Sequence, residues 1–351
     1  MSSVPRLFQS AQVGELSLSH RVVLAPLTRI RASRAHVIRE FAADYYAQRA
    51  STAGTLLVSE GTIISPEAGG YPNLPEVTDA VHAKGSYIFL QLWALGRAAL
   101  PQALEAEGFH SSYISASDIR LSTSSCAPRP VTVPEIKSYV KKYAIAAHTA
   151  VHDAGFDGVE LHGANGYLVD QFIQDVSNKR TDDYGGSVEK RCNFALEIIE
   201  EVVKAVGATK AAIRLSPWGD HNDMHMDNPV PTFSYLVKEL LKRFPDLAYI
   251  HVVEPRASGD GDRDMHREES NDFIRNIWAP RPLISTGGYT RELALKHAEQ
   301  TDDLIGFGRP FISNPDLARR LRDNIPLAKW DRSTFYIPED PFGYVDYPFA
   351  D

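Results

Sequence analysis

The 351-residue sequence predicts a parallel (β/α)8 TIM barrel, on three observations. Eight short apolar or β-branched runs recur along the chain, and helix-like amphipathic stretches lie between them. The runs are continuously apolar rather than alternating, as expected of strands covered on both faces. The spacing continues without a break in composition, so one domain spanning 1–351 is expected, with a C-terminal extension from about 325. A doubly wound sheet is the competing architecture. It would want a glycine-rich loop after the first strand, where "PLTRIRAS" has no glycine.

In chain order the predicted strands are "VVLA" (22–25), "TLLVS" (55–59), "YIFLQL" (87–92), "GVEL" (158–161), "AAIRL" (211–215), "YIHVV" (249–253), "PLIS" (282–285) and "DLIGF" (303–307). The predicted helices are 39–53, 75–84, 133–154, 188–206, 231–243, 270–278, 290–299 and 315–323. Start signals support two of them: Thr132 before Val133-Pro134-Glu135, and Asn314 before Pro315.

Bulk properties narrow the partners. Lysine and arginine total 37 against 45 acidic residues, a formal charge of −8, and no basic stripe or block interrupts the chain. Nucleic acid and anionic membrane surfaces are therefore not expected partners, and small soluble molecules are. Two cysteines, Cys126 and Cys192, are too few for a disulfide framework and lack metal-site spacing. No run is apolar and long enough to span a membrane, and the reading is a cytoplasmic protein, monomer or homodimer.

In a barrel of this kind the chemistry collects where strands end, because the loops that follow the strands build that face. The residues there are Thr28 after the first strand, Gly61 after the second, Gln91 and Trp93 at the third, and His162 at the fourth. Arg214 ends the fifth, Gly287 and Gly288 follow the seventh, and Gly308 and Arg309 follow the eighth. The last two loops, "STGGYT" and "GFGRPF", suit a phosphate group: backbone without side chains lets N–H groups approach the oxygens, and Arg309 adds charge. The fourth strand runs into "HGANGYLVDQF", which presents His162, Asn165 and Tyr167 within six positions.

These stretches resemble the Old Yellow Enzymes, flavin-dependent ene-reductases that carry FMN in a (β/α)8 barrel. The resemblance rests on "LAPLTR" (24–29), "QLWALGRAA" (91–99), "HGANGYLVDQFIQDVSNKRTDDYGGS" (162–187), "RLSPW" (214–218), "HVVEPR" (251–256), "STGGYT" (285–290), "IGFGRPFISNPDL" (305–317) and "DRSTFY" (331–336). It implies that Pro26, Leu27 and Thr28 meet the flavin, Thr28 at its O4, that Gly61 and Gln91 meet the pyrimidine edge, and that Arg214 faces N1 and O2. Gly287, Gly288, Gly308 and Arg309 would hold the phosphate. His162 and Asn165 would grip the electron-withdrawing oxygen of an alkene, and Tyr167, a phenol and so neutral at working pH, would donate the proton. Tyr71, Trp93, Phe335 and Tyr336 would line the substrate pocket. The implied activity is ping-pong transfer of hydride from NADPH or NADH to an α,β-unsaturated carbonyl or nitro compound.

Alternatives remain at this stage. The same scaffold could isomerise rather than reduce, or serve one pathway of secondary metabolism. A metal-dependent hydrolase would draw on His221 and His225 beside Asp220, Asp223 and Asp227, with His251 on the next strand. Two stretches depart from the family pattern. After 68–75 about a dozen residues are missing, which predicts a shortened second helix, poorer packing around the second strand and a less stable barrel. The loop at 219–226 and the glycine- and charge-rich stretch 256–269 also differ, the latter reading as a mobile lid. The acidic "PEDPF" reads as a solvated tail.

Overall fold

The structure, a computed structural model, describes residues 4–33, 37–65, 67, 75–259, 261–266 and 268–351. Eight parallel strands close into a barrel in chain order: β1 (Val22–Leu24), β2 (Leu56–Ile63), β3 (Tyr87–Trp93), β4 (Gly158–Gly163), β5 (Ala211–Leu215), β6 (Tyr249–Val253), β7 (Leu283–Thr286) and β8 (Leu304–Phe307). The last closes on the first with Ile305 opposite Val22. The principal helices are α1 (Phe41–Arg49), α2 (Pro75–His82), α3 (Val133–His148), α4 (Val188–Val206), α5 (Val230–Arg243), α6 (Asp272–Trp278), α7 (Arg291–Thr301) and α8 (Leu317–Asp323).

Each strand alternates between two apolar surroundings, which is why it reads as one continuous apolar run. Val22, Leu24, Leu57, Ile88, Leu90, Val159, Leu161, Ile213, Ile250, Val252 and Ile305 face the helix layer, in one cluster with α4 residues such as Phe194, Ile198 and Val202. The residues between them, Val23, Leu56, Val58, Phe89, Ala212, Tyr249, Ile284 and Leu304, fill the barrel floor. A short hairpin, Ala11–Val13 paired with Leu16–Leu18, inserts Val13 and Leu18 into that floor and plugs it. The interior is thus a packed core with no pore through it.

Two steps of the same alternation then lift polar residues into the barrel mouth. Gln91, Glu160, Arg214, His251 and Thr286 occupy the inward positions above the floor, with Gln91 opposite Glu160 and His251 opposite Arg214. Strand register, rather than any local sequence feature, therefore sets the height of each side chain in the barrel.

The helices form for ordinary reasons. Thr132 and Glu135 cap α3 reciprocally, as the sequence predicts. The rest of the predicted 133–154 helix continues as a widened π turn over Thr149–Asp153. Helix α4 is 19 residues long, is capped by Ser187 and buries Cys192, Phe194, Ala195, Ile198, Ile199, Val202 and Val206 on one face. Each large side chain there stabilises by about 1.5–3 kcal/mol. The predicted start at Asn314 is corrected: α8 begins at Leu317 after Asp316, and the Asn314 amide instead donates to the carbonyls of Pro310 and Ala328. A polar residue before proline can serve the loop as well as a helix end.

Helix α2 is short, as expected, yet buries Val77 and Val81 in the core. Residues 68–74, including Tyr71, lie outside the described residues. The "PEDPF" stretch is more than a solvated tail. Its Phe342 carbonyl accepts from Arg31 and its Glu339 pairs with Arg39, within a C-terminal segment that three buried arginines tie to the barrel. Arg29 donates to the carbonyls of Phe335 and Gly343, Arg31 to those of Thr334 and Ile337, and Arg49 to those of Ile312 and Tyr344. Tyr344 stacks on Tyr45 at 4.0 Å beneath them.

Candidate functional site

A cavity of about 730 Å³ opens at the C-terminal ends of the strands. Of the residues singled out in the sequence, Pro26, Leu27, Thr28, Gln91, Trp93, His162, Asn165, Tyr167, Arg214, Gly287, Gly288, Gly308, Arg309, Phe335 and Tyr336 all line it. Gly61 does not. It sits, half-buried, where the β2–β3 register shifts, and a Cβ there would stand 3.0 Å from the Trp93 ring and 3.3 Å from Gln91 Oε1. It is therefore packed beside two cavity-lining side chains.

Below the cavity a buried hydrogen-bond chain crosses the barrel. Gln91 Nε2 donates to Glu160 Oε1 at 2.7 Å, Glu160 Oε2 lies 2.8 Å from His251 Nδ1, and His251 Nε2 lies 2.7 Å from Thr286 Oγ1. Burial pushes the Glu160 carboxyl up, but His251, Arg214 and Gln91 together hold it below the usual carboxylate range. Burial lowers His251, so the neutral ring donates to Glu160 from Nδ1 and accepts from Thr286 at Nε2. The ring that the hydrolase reading would need as a metal ligand is thus committed inside the barrel. Among the described residues no three of His, Cys, Asp and Glu come together as a metal site.

Several buried polar atoms of cavity-lining residues are left over, Trp93 Nε1 among them. His162 Nδ1 and Arg214 Nε are buried with no hydrogen-bond partner among the described residues, and both residues line the cavity. An unpaired buried donor costs about 1–3 kcal/mol, so these atoms mark places where a ligand acceptor is expected. Burial, then Arg214, His251 and His221, drive His162 well below its ordinary range, so it stays a neutral imidazole at neutral pH. Tyr167 packs edge-on against Trp93 at 4.8 Å and against His162 at 5.0 Å.

At the opposite end, Gly287 and Gly288 adopt φ of 138° and 58°, which side chains tolerate poorly. Arg309 pairs with Asp262 and lies over the Trp330 ring. Several cavity residues were not singled out as pocket or cofactor residues. Arg256 lies over Tyr289 at 4.2 Å with Nε and Nη2 buried and unpartnered, and His221 and Trp330 also line the cavity. Arg256 ends a stretch quoted for the resemblance, but nothing local in the sequence says that it turns inward. The predicted lid contains a two-residue-per-strand hairpin, Ala257–Ser258 with Gly261–Asp262, and Arg263 fastens it to the carbonyls of Trp218 and Pro255.

The profile of the NADH:flavin oxidoreductase / NADH oxidase family matches residues 6–328. The chain is 48% identical to a chanoclavine-I aldehyde reductase of Penicillium roqueforti, over 98% of this chain and 96% of the relative. It is 42% identical to a probable inactive dehydrogenase of Claviceps fusiformis, over 99% and 96%. Among solved structures, an Old Yellow Enzyme from Pichia sp. superposes with a TM-score of 0.89 at 36% identity, covering 98% of this chain and 94% of that one. On sequence and fold together, the chain belongs to the NADH:flavin oxidoreductase / NADH oxidase family and, within it, to the Old Yellow Enzymes.

Proposed function

We propose that this protein is an FMN-dependent ene-reductase that takes hydride from NADPH or NADH and reduces the C=C bond of α,β-unsaturated carbonyl or nitro compounds. The observation that carries this reading is the grouping of His162, Asn165 and Tyr167 beside Trp93 on one cavity wall, with the His162 donor unpaired.

The residues present fit FMN. Arg214 has a buried, unpartnered Nε for the electron-rich pyrimidine edge, Gln91 and Thr28 add polar groups, and Gly287, Gly288, Gly308 and Arg309 suit the phosphate. When bound, FMN supplies a hydride carrier that couples nicotinamide to alkene. His162, kept neutral, and Asn165 donate to the carbonyl or nitro oxygen and so make Cβ electrophilic. Tyr167 gives its phenolic proton to Cα as Cβ receives hydride, and solvent restores that proton. The balance is NAD(P)H plus a proton plus an alkene, giving NAD(P)+ and the saturated product.

The name of the Penicillium relative makes an alkene conjugated to an aldehyde the first substrate class to try. The Claviceps relative's name makes a turnover assay essential. The purified protein should be yellow, bleach with NADPH in the absence of oxygen, and regain colour with cyclohex-2-enone or an enal. Bleaching without reoxidation by any of these alkenes refutes ene-reduction.

A further inference from the structure

The turn that carries Asn165 is gripped on all four of its backbone polar groups by side chains. The Asn165 N–H donates to Ser216 Oγ at 2.7 Å, and the Gly166 N–H donates to Asp170 Oδ2 at 2.8 Å. The Asn165 carbonyl accepts from Asn222 Nδ2 at 2.9 Å, and the Gly166 carbonyl from Gln171 Nε2 at 2.7 Å. Asn165 and Gly166 are both left-handed, with φ of 57° and 72°. Asparagine and glycine are the residues that adopt this conformation most readily, and the four bonds hold the turn in it.

Two anchors, Asp170 and Gln171, come from the buried helix Leu168–Ile173 next along the chain. Ser216 reaches over from just after β5, within the matching "RLSPW", and Asn222 from the 219–226 loop, which departs from the family pattern. That segment lies flat on the turn: a Cβ at Gly166 would meet Asn222 Cβ at 2.7 Å and the His221 carbonyl at 2.8 Å. It is itself secured, because buried Arg97 donates to the carbonyls of Asn222 and Asp223 at 2.9 and 3.3 Å, and Ser122 donates to the Asp223 carboxylate at 2.7 Å. Asn222 also adopts a left-handed φ of 57°.

We propose that Asn222 is a positioning residue for the alkene-gripping pair: its amide pins the Asn165 carbonyl and so fixes the direction in which the Asn165 side chain faces the cavity. This rests on the ene-reductase reading for its purpose but not for its geometry. Without the pin, the peptide between Asn165 and Gly166 is held on its N–H edge alone, by Asp170, so the turn gains freedom to tilt and the Asn165 side chain shifts with it. His162 is unaffected because β4 holds it. The pair then loses its common focus on one oxygen. Asp170 and Gln171 also bond Gln174, Leu95 and Arg97, so changing them disturbs more than the turn. Asn222 is the selective handle.

The test compares the wild-type holoenzyme with Asn222→Gly, which keeps the left-handed backbone without strain and removes the amide, and Asn222→Asp, which sets a carboxylate against the Asn165 carbonyl. Hydrogen exchange in the 162–172 peptide should quicken in the Gly variant and more so in the Asp variant. The dissociation constant of cyclohex-2-enone, read from the perturbed flavin spectrum of the oxidised enzyme, should rise about 2- to 12-fold in the Gly variant, the equivalent of one lost hydrogen bond, and further in the Asp variant. FMN affinity should stay at the wild-type value in Asn222→Gly, and the thermal midpoint should fall by no more than about 3 °C. Unchanged exchange and enone binding in both variants would overturn the proposal, and so would a parallel loss of FMN affinity, which would mark Asn222 as generally structural. If the wild type binds enones without reducing them, the ene-reductase reading falls while the exchange and binding comparison still decides the role of Asn222.

Discussion

Replacing Arg31 by methionine tests how the C-terminal segment is held over the cavity. Arg31 is 1% exposed and its guanidinium donates to the carbonyls of Arg29, Thr334, Ile337 and Phe342, with the Tyr344 ring 5.2 Å from its centre. Hydrogen bonds to a charged group contribute about 1.5–3 kcal/mol each, so a plain sum over four reaches ~6–12 kcal/mol, as large as the stability of a whole domain. That sum overstates the loss. The segment lies at the surface, with Tyr336 45% and Phe342 58% exposed, so the released carbonyls can turn to water. The burial that pulls the Arg31 guanidinium below its ordinary range is also relieved. A net loss of about 2–4 kcal/mol remains, or roughly 3–5 °C in thermal midpoint for a chain of this length. The loss is local first: hydrogen exchange over 332–345 should rise ahead of the barrel strands, and the KM for an enone should rise as Phe335 leaves the wall. A segment as protected as in the wild type, with an unchanged midpoint, would refute the claim that arginine–carbonyl contacts hold it.

Three further outcomes follow from the same geometry. Tyr167→Phe keeps the ring contacts with Trp93 and His162 and removes one oxygen, so stopped-flow reduction of the flavin by NADPH should be unchanged while reoxidation by cyclohex-2-enone slows about 10²–10⁴-fold; equal slowing of both steps would reject Tyr167 as proton donor. Gly306→Ala would place a methyl 1.9 Å from Thr286 Oγ1, the hydroxyl that His251 holds, so FMN content after purification should fall and stability drop by about 1–3 kcal/mol; a variant with full flavin and wild-type stability would show that the buried chain tolerates rearrangement. Burial raises Asp170 to about 7, so the folded state holds a proton that the unfolded chain releases near its ordinary value of 3.8. Its favourable contribution is complete below that value and is lost as pH rises through about 7. Urea titrations should therefore find the stability difference between wild type and Asp170→Asn shifting toward the variant between about pH 4 and 7, and a pH-independent difference would remove Asp170 as the titrating group.

Much of this protein is legible in its sequence because a (β/α)8 barrel writes each element locally. An apolar run marks β3 at 87–93, a cap and period mark α3 from Val133, and residues just past the runs line the cavity. The cavity-lining glycines and Arg309 were legible for the same reason, and His162, Asn165 and Tyr167 because they crowd one strand end.

What stayed hidden depends on contacts between distant segments. Apolar runs conceal which residues face inward, because floor and helix layer are both apolar. Only closure of the barrel therefore assigns Glu160 and His251 to one buried chain and leaves Arg214 Nε unpaired beside them. Asn222 and Asn165 are 57 positions apart, and Arg31 lies 311 positions from Phe342, so no periodicity or spacing could announce either bond. By itself the sequence determined where the strands end and which chemical groups stand there. The tertiary structure decided which donors are satisfied and which are left facing the cavity, because hydrogen-bond satisfaction of a buried group depends on neighbours that only folding brings within 3 Å.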